Sequence, residues 1–177
     1  MDLKQEMKIE TERLVLMPMT YSFVSKVMDN DASAFEEMGV RPAGGWPNND
    51  IIEILPKIKE KLSLQPQPNG FGAWLFIEKS GNSIIGDGGF KDAPDGEGKI
   101  DIGYGTIESK RRQGYTYEAV TALIKWGFSR DNVKVITANC LKSNAASNGL
   151  LQKLGMTEIK QDEEYIYFKL DKPPGDE

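Results

Sequence analysis

The sequence of 177 residues contains no histidine and a single cysteine, Cys140. Histidine is the commonest general base and metal ligand at neutral pH. Its absence excludes Ser-His-Asp hydrolases, papain-like proteases and the usual zinc hydrolases. One cysteine can form neither an intrachain disulfide nor a cysteine-based zinc site, so we expect no metal centre. Acid–base chemistry must therefore rest on carboxylates, Tyr, Lys, Cys, the main chain or water.

Long apolar runs and an excess of basic charge are also missing. No stretch approaches the roughly 20 apolar residues of a membrane-spanning helix, and residues 1–6 lack the apolar segment of a signal peptide. We therefore expect a cytoplasmic protein that makes no membrane contact. The net charge of −5 disfavours nucleic acid as a partner, because phosphate contacts need a basic face. A chain of this length most simply forms one domain, residues 1–177.

Apolar periodicity and turn residues divide the chain into ten predicted elements, in the order β, α, α, β, β, β, α, β, α, β. Polar residues that can cap helices occur at Thr20, at Asn49 or Asp50, and at Asn144 or Ser147. The predicted strands are 13–17, 73–77, 83–90, 99–107, 133–138 and 165–170, and the predicted helices include 23–28, 51–62, 117–129 and 150–154. This pattern indicates a single mixed α/β domain.

Gly114 lies between a predicted strand and a predicted helix, and Arg111 and Arg112 precede it. Such a junction offers free main-chain N–H groups at the positive end of a helix dipole, which together bind phosphate. No P-loop continuation and no Gly-x-Gly-x-x-Gly pattern is present at this junction. Alone, these residues predict only an anion at a helix start. A helix preceded by a basic loop is the alternative.

The segment Arg111-Arg112-Gln113-Gly114-Tyr115-Thr116 resembles the pyrophosphate loop of the GNAT acetyltransferases, Gln/Arg-x-x-Gly-x-Gly/Ala. Its form is that of the ribosomal-protein N-acetyltransferase-like branch, although Thr116 departs from the small sixth residue. Four more segments resemble that branch in the same order: 11–16, 85–90, Asp101-Ile102-Gly103-Tyr104, and Asn144-Ala145-Ala146-Ser147 with Leu154-Gly155-Met156. The likeness covers about residues 9–170.

This resemblance implies an α/β (α+β) GNAT fold. Its sheet is mixed and mostly antiparallel, with six to seven strands and about four flanking helices, and splayed central strands form the cofactor cleft. The resemblance also implies acetyl-CoA as cosubstrate. Main chain near Thr106, Ile107 and Glu108 would pair with the pantetheine arm as an added strand does. The implied pyrophosphate contacts are Arg112, Gln113, Gly114, Tyr115, Thr116 and Tyr117; Asn144 would touch the pantetheine.

The chemistry implied by the resemblance is direct attack of a neutral amine on the thioester. Asp101 occupies the position where histone-type members carry a glutamate base; the alternative is a solvated or salt-bridged strand residue. Many members have a tyrosine acid where this chain has Leu151, so Ser147, Tyr104 or water would serve the leaving thiolate. The alternative for Ser147 is a hydroxyl that satisfies the backbone at a helix start. Cys140 is expected to be a small buried hydrophobe.

The acceptor side is expected to involve Trp46 and Tyr104. Trp46, Trp74 and Phe71 are candidates to line an amine pocket through apolar or cation–π contacts, with core packing as the alternative for Trp74. The prediction is an N-acetyltransferase acting on a primary amine, either a protein N-terminus or a small molecule, with homodimerisation expected from the branch. The alternatives are a non-catalytic acyl-CoA sensor and a general nucleotide-binding protein.

Overall fold

The computed structural model describes residues 7–175, and within that range the chain forms nine strands and five α-helices. The two ends of the predicted 1–177 domain, residues 1–6 and 176–177, lie outside the described residues. The elements in chain order are β1 (Ile9–Glu10), β2 (Leu14–Pro18), α1 (Tyr21–Met28), α2 (Ser33–Met38), β3 (Arg41–Pro42), α3 (Asn49–Leu64), β4 (Ala73–Glu78), β5 (Ser83–Phe90), β6 (Lys99–Thr106), a 3-10 turn (Glu108–Lys110), α4 (Tyr115–Phe128), β7 (Val135–Leu141), α5 (Ala145–Lys153), β8 (Thr157–Gln161) and β9 (Tyr165–Asp171).

All nine strands belong to one sheet, in the order β1-β2-β4-β5-β6-β7-β9-β8, with β3 paired to β5. The pairs β6–β7 and β3–β5 are parallel and the others are antiparallel. This is the mixed, mostly antiparallel sheet that the sequence predicts. It has more than the predicted six or seven strands. The strands that the sequence pattern does not reveal are β1 and β3, which are only two residues long, and β8, which is exposed throughout. The fifth helix is the six-residue α2.

Polar side chains fix where the helices begin. The Thr20 hydroxyl accepts a hydrogen bond of 3.1 Å from the Phe23 N–H at the start of α1, as predicted. Helix α3 is capped by Asn48, one residue earlier than expected, whose side-chain oxygen accepts from the Ile51 N–H at 3.1 Å. Helix α4 begins at Tyr115, two residues before its predicted start, because Gly114 already provides the turn into the helix.

Helices cover both faces of the sheet and hold β6 between them. Helix α4 packs closely on one face: a Cβ added at its Gly127 would lie 3.2–3.3 Å from side-chain atoms of Phe90, Ile100 and Ile136. Helix α3 lies over the opposite face and encloses a cleft with β5 and β6. Within the described range, none of the helices is both long enough and apolar enough to cross a bilayer.

Candidate active site

The ladder between β6 and β7 is short and ends well before either strand does. Its three parallel pairs join residues 99–101 to residues 135–137. Beyond them β6 continues to Thr106 beside β5, and β7 continues to Leu141 beside β9. The two strands therefore diverge and leave a gap at the centre of the sheet. This confirms the prediction of splayed central strands.

Main-chain groups of β6 point into this gap. The Asp101 carbonyl accepts from the Lys91 N–H, and the Ile107 N–H donates to the Ile85 carbonyl, both at 2.9 Å on the β5 side. Alternate residues of a strand direct their polar groups to opposite sides, so those of Tyr104 and Thr106 point into the gap. The main chain of Ile107 already makes two hydrogen bonds. Its N–H donates to the Ile85 carbonyl and is not available to a ligand, whereas its carbonyl accepts from the Lys110 N–H at 3.0 Å and keeps a second lone pair. Pairing of Ile107 with a ligand stays a prediction that rests on this carbonyl.

The first turn of α4 faces the end of the gap with unpaired donors. The Glu118 N–H makes the first helical bond, to the Gly114 carbonyl at 3.0 Å. The N–H groups of Tyr115, Thr116 and Tyr117 therefore have no partner inside the helix. Gly114 has φ +81° and offers no capping side chain, and Arg112 also adopts a positive φ of 60°. This loop presents its main-chain donors outward, as a phosphate site requires.

Arg13, which lies in the turn between β1 and β2, contacts this loop and stabilises it. Its Nε lies 2.7 Å from a Glu118 carboxylate oxygen, its Nη1 donates to the Gln113 carbonyl at 2.9 Å, and its guanidinium lies 4.1 Å from the centre of the Tyr115 ring. The Gln113 side chain donates to the Ser109 carbonyl at 2.9 Å. Gln113 is thus tied into the loop through its main-chain carbonyl and its side-chain NH₂.

Thr116 is turned away from the loop and toward the sheet. Its hydroxyl lies 2.7 Å from the hydroxyl of Thr106 at the end of β6. The branched side chain therefore joins α4 to β6 and does not occupy the space in front of the N–H groups. The departure from the family's small residue at this position costs the loop no room.

Asn144 and Ser147 face β6 from across the gap. The Asn144 side-chain oxygen accepts from the Ser147 N–H at 3.0 Å and caps α5. The Ser147 hydroxyl instead lies 2.8 Å from the Tyr104 hydroxyl. The alternative in which the Ser147 hydroxyl satisfies the helix start is therefore wrong. Burial raises the pKa of Tyr104, against the opposing effect of the Ser147 bond, so the phenol stays protonated at neutral pH.

Asp101 has two side-chain partners and lies at the end of β6 that is still paired with β7. One carboxylate oxygen accepts from the Thr137 hydroxyl at 2.8 Å, and the other forms an ion pair with Lys91. This is the salt-bridged arrangement that the sequence left open as the alternative to a catalytic base.

The cleft between α3 and the sheet has a volume of about 640 Å³. Trp46, expected to line it, is 4% exposed and packs against Phe23 and Phe35, with ring centroids 6.0 and 6.1 Å away. Trp46 therefore lies behind the cleft wall, which corrects the expectation that it contacts an acceptor directly. Trp74 is fully buried, which confirms core packing, whereas Phe71 lines the cleft.

Asp87 is a site residue that sequence reasoning missed. It lies on β5 opposite Gly105, and its carboxylate accepts a hydrogen bond of 3.0 Å from the Trp46 indole N–H. Burial raises the pKa of this carboxyl from 3.8 to about 6; the Trp46 bond opposes the shift and the Asp50 charge adds to it. A signal was available, because Asp87 is the one charged residue in a strand of apolar, glycine and serine residues.

The comparisons with known proteins agree with this geometry. A family model described as an acetyltransferase (GNAT) domain matches residues 13–157, most of the chain. The chain belongs to the GNAT acetyltransferase family. This GNAT domain is 37% identical over 160 residues to the uncharacterized N-acetyltransferase YjdG of Bacillus subtilis (strain 168), covering 90% of this chain and 95% of the relative.

Solved structures share the GNAT fold at lower identity. A GNAT-family acetyltransferase from Bacillus anthracis superposes with a TM-score of 0.65 at 22% identity, covering 94% of this chain and 99% of that one. A ribosomal L7/L12 alpha-N-protein acetyltransferase in complex with coenzyme A gives a TM-score of 0.69 at 18% identity, covering 93% and 98%. The predicted family and fold are thereby confirmed.

Two further residues of the GNAT domain follow the sequence predictions. Leu151, at the position of the family's tyrosine acid, is fully buried. Cys140 is 5% exposed, and burial raises the pKa of its thiol, which disfavours the nucleophilic thiolate. Neither side chain offers a proton donor or a nucleophile to the gap.

Proposed function

We propose that the protein transfers an acetyl group from acetyl-CoA to a primary amine by direct attack. The observation that carries this proposal is the continuity between the open edge of β6 and the uncapped start of α4. A pantetheine arm needs an extended edge to pair with, and a pyrophosphate needs free N–H groups. The chain has both, an open edge of β6 followed by the start of α4, along the gap between β6 and β7.

The residues near the gap fit this cosubstrate. Thr106 would pair with the pantetheine through its N–H, since its carbonyl already accepts from the Arg111 Nε at 3.0 Å. The N–H groups of the 112–117 loop would hold the pyrophosphate, and Asn144 would offer its side-chain NH₂, since its oxygen caps α5. Gly114 fits the role because its φ of +81° disfavours any side chain at this point of the loop. Acetyl-CoA supplies the activated thioester when bound.

The chain's own groups would stabilise the reaction in two ways. A main-chain N–H directed into the gap stabilises the oxyanion that forms when the amine attacks the carbonyl. The Tyr104–Ser147 hydroxyl pair would protonate the leaving thiolate, because Tyr104 remains a donor at neutral pH. The base role of Asp101 stays a prediction, and its two existing partners weaken it.

A primary amine as acceptor is supported by the relatives' names. One structural neighbour is the L7/L12 alpha-N-protein acetyltransferase, and another is a spermidine N-acetyltransferase chimera that matches with a TM-score of 0.65 at 9% identity. Both names describe transfer to an amine, one on a protein and one on a small molecule. Homodimerisation stays a prediction.

A turnover screen tests this function. Purified protein is incubated with acetyl-CoA and a panel of amines and N-terminal peptides, and the release of free coenzyme A is followed. We expect release that depends on the amine. Acetyl-CoA that binds in calorimetry but is never turned over would instead identify a non-catalytic acyl-CoA sensor, and equal affinity for ATP would identify a general nucleotide-binding protein.

A further inference from the structure

Asp87 lies where the cleft beneath α3 meets the gap between β6 and β7. The carboxylate shares one face of the sheet with Gly103 and Gly105 of β6, because paired residues of adjacent strands point to the same side. The side chain is half-buried and lines the cleft. It is therefore placed to meet a molecule that enters the cleft toward the gap.

The two glycines leave the path from Asp87 to the gap open. Among the described residues, a Cβ added at Gly105 would meet no atom within 4 Å, and one at Gly103 would meet only the Lys91 side chain, at 3.9 Å. Gly105 is the direct partner of Asp87 in the ladder. An amine bound at Asp87 would thus face the gap with no side chain of β6 between them.

Trp46 fixes the Asp87 carboxylate from behind. The indole N–H donates to one carboxylate oxygen at 3.0 Å, and the ring is wedged between Phe23 and Phe35. The other oxygen accepts no hydrogen bond from any residue of the described chain. Asp87 therefore offers one lone-pair-bearing oxygen in a fixed position.

Asp101 is the less suitable carboxylate on the same face. Both of its oxygens are occupied, by Thr137 and by Lys91. It lies four residues before Gly105, about 13 Å away along the strand, at the end where β6 and β7 are still paired. A substrate amine at Asp101 would have to displace Lys91 and would lie away from the gap.

The cleft walls indicate what else the acceptor carries. Helix α3 and the following segment contribute an apolar lining of Ile51, Ile54, Ile58, Leu62 and Phe71. The charged lining residues are Asp50, Lys57, Lys61, Asp87, Lys91 and Asp92; all but Asp87 are exposed. Lys61 pairs with Asp92 at 2.7 Å, and Lys91 pairs with Asp101. Asp87 is thus the one charged residue of this cleft lining that is half-buried, and it lies beside the apolar wall.

We propose that Asp87 binds the acceptor's ammonium group and removes its proton, and that the acceptor is a primary amine with an apolar body. This inference rests on the proposed acetyl transfer. The ammonium gives one proton to Asp87, and the neutral nitrogen then bonds to the thioester carbonyl carbon. The carbon–sulfur bond breaks, and the second proton lost by nitrogen ends on the sulfur, which leaves as the free thiol. Asp87 returns its proton to water.

The test compares Asp87→Asn with Asp101→Asn in the full chain. The amines are phenethylamine and hexylamine, which are apolar, and spermidine and glycinamide, which are polar. Free coenzyme A release gives kcat/KM, and calorimetry gives the amine affinity in the presence of coenzyme A. Asp171→Asn is the matched control, since its carboxylate is 62% exposed on β9 and pairs with Lys169.

We expect the native protein to prefer the apolar amines by roughly tenfold or more in kcat/KM, because a buried alkyl or phenyl group adds favourable transfer energy. Asp87→Asn should lower kcat/KM by at least roughly a hundredfold and weaken amine binding, while acetyl-CoA affinity stays the same. The rise of kcat/KM with pH near 6 should vanish in this variant. Asp101→Asn should lose at least tenfold less activity than Asp87→Asn.

Each other outcome has one meaning. Turnover that survives in Asp87→Asn overturns the assignment to Asp87 and leaves the acetyltransferase function intact, whether or not Asp101→Asn is active. A preference for spermidine over hexylamine overturns the apolar acceptor. No turnover with any amine overturns the proposed function itself, together with this inference.

Discussion

Replacing Asp87 by Asn should make the folded protein more stable at neutral pH. Folding places this carboxyl where its pKa rises from 3.8 to about 6, chiefly through burial. The folded state then binds the proton more tightly than the unfolded state does. The contribution of Asp87 to stability is therefore fully present below about pH 4 and is lost as the pH rises to about 6. A pKa that is higher by about two in the folded state lowers the unfolding free energy at pH 7 by about 3 kcal/mol.

Asparagine keeps the shape of the side chain and can still accept the Trp46 hydrogen bond, but it carries no charge. The unfolding free energy of Asp87→Asn, minus that of the native protein, should therefore be near zero at about pH 4 and reach about 2–3 kcal/mol at pH 7. Urea unfolding at several pH values measures this difference. Asp171→Asn should stay within about 0.5 kcal/mol of the native protein throughout. A flat difference curve, or a less stable Asp87→Asn at pH 7, would show that folding does not raise the pKa of Asp87.

Three further substitutions test the parts of the site separately. Trp46→Phe keeps an aromatic ring but removes a bond that lowers the pKa of Asp87, so the acidic limb of the kcat/KM profile should move up by roughly one pH unit; an unmoved limb contradicts the link. Gly105→Val fills the space beside Asp87, and the KM for the amine should rise roughly tenfold or more with acetyl-CoA affinity unchanged in calorimetry; a normal KM would place the acceptor elsewhere. Ser147→Ala removes the hydroxyl, so kcat should fall roughly tenfold or more. Urea unfolding should change little, because the Asn144 cap uses the Ser147 N–H and stays intact. An unchanged kcat would remove Ser147 from the proton path.

Much of the fold could be predicted because its long elements carry clear patterns. The alternation in β6 and the caps at Thr20 and Asn144 each have a local physical cause. Strand β8 could not be found in this way, since all five of its residues are exposed and it lacks an apolar face. Helix α2 was missed because it is six residues long and has no side-chain cap.

The candidate site was predicted where main-chain geometry follows from local sequence, as at Gly114. It was not predicted where the chemistry depends on strand register. The Lys91–Asp101 pair and the Trp46–Asp87 bond join residues that are distant in sequence, and only the pairing of β5 with β6 and the packing of α1 and α2 bring them together. The Tyr104–Ser147 contact depends in the same way on how α5 packs across the gap.

The proposed function requires that this GNAT domain move an acetyl group from acetyl-CoA to an amine. Mass spectrometry detects this transfer directly, after incubation of the purified protein with acetyl-CoA and each amine or N-terminal peptide of the panel. We expect N-acetylhexylamine and free coenzyme A in equal amounts, with neither formed when the protein is omitted. Acetyl-CoA that binds to the protein and is recovered intact, with every amine and peptide of the panel unmodified, would show that no acetyl group is transferred.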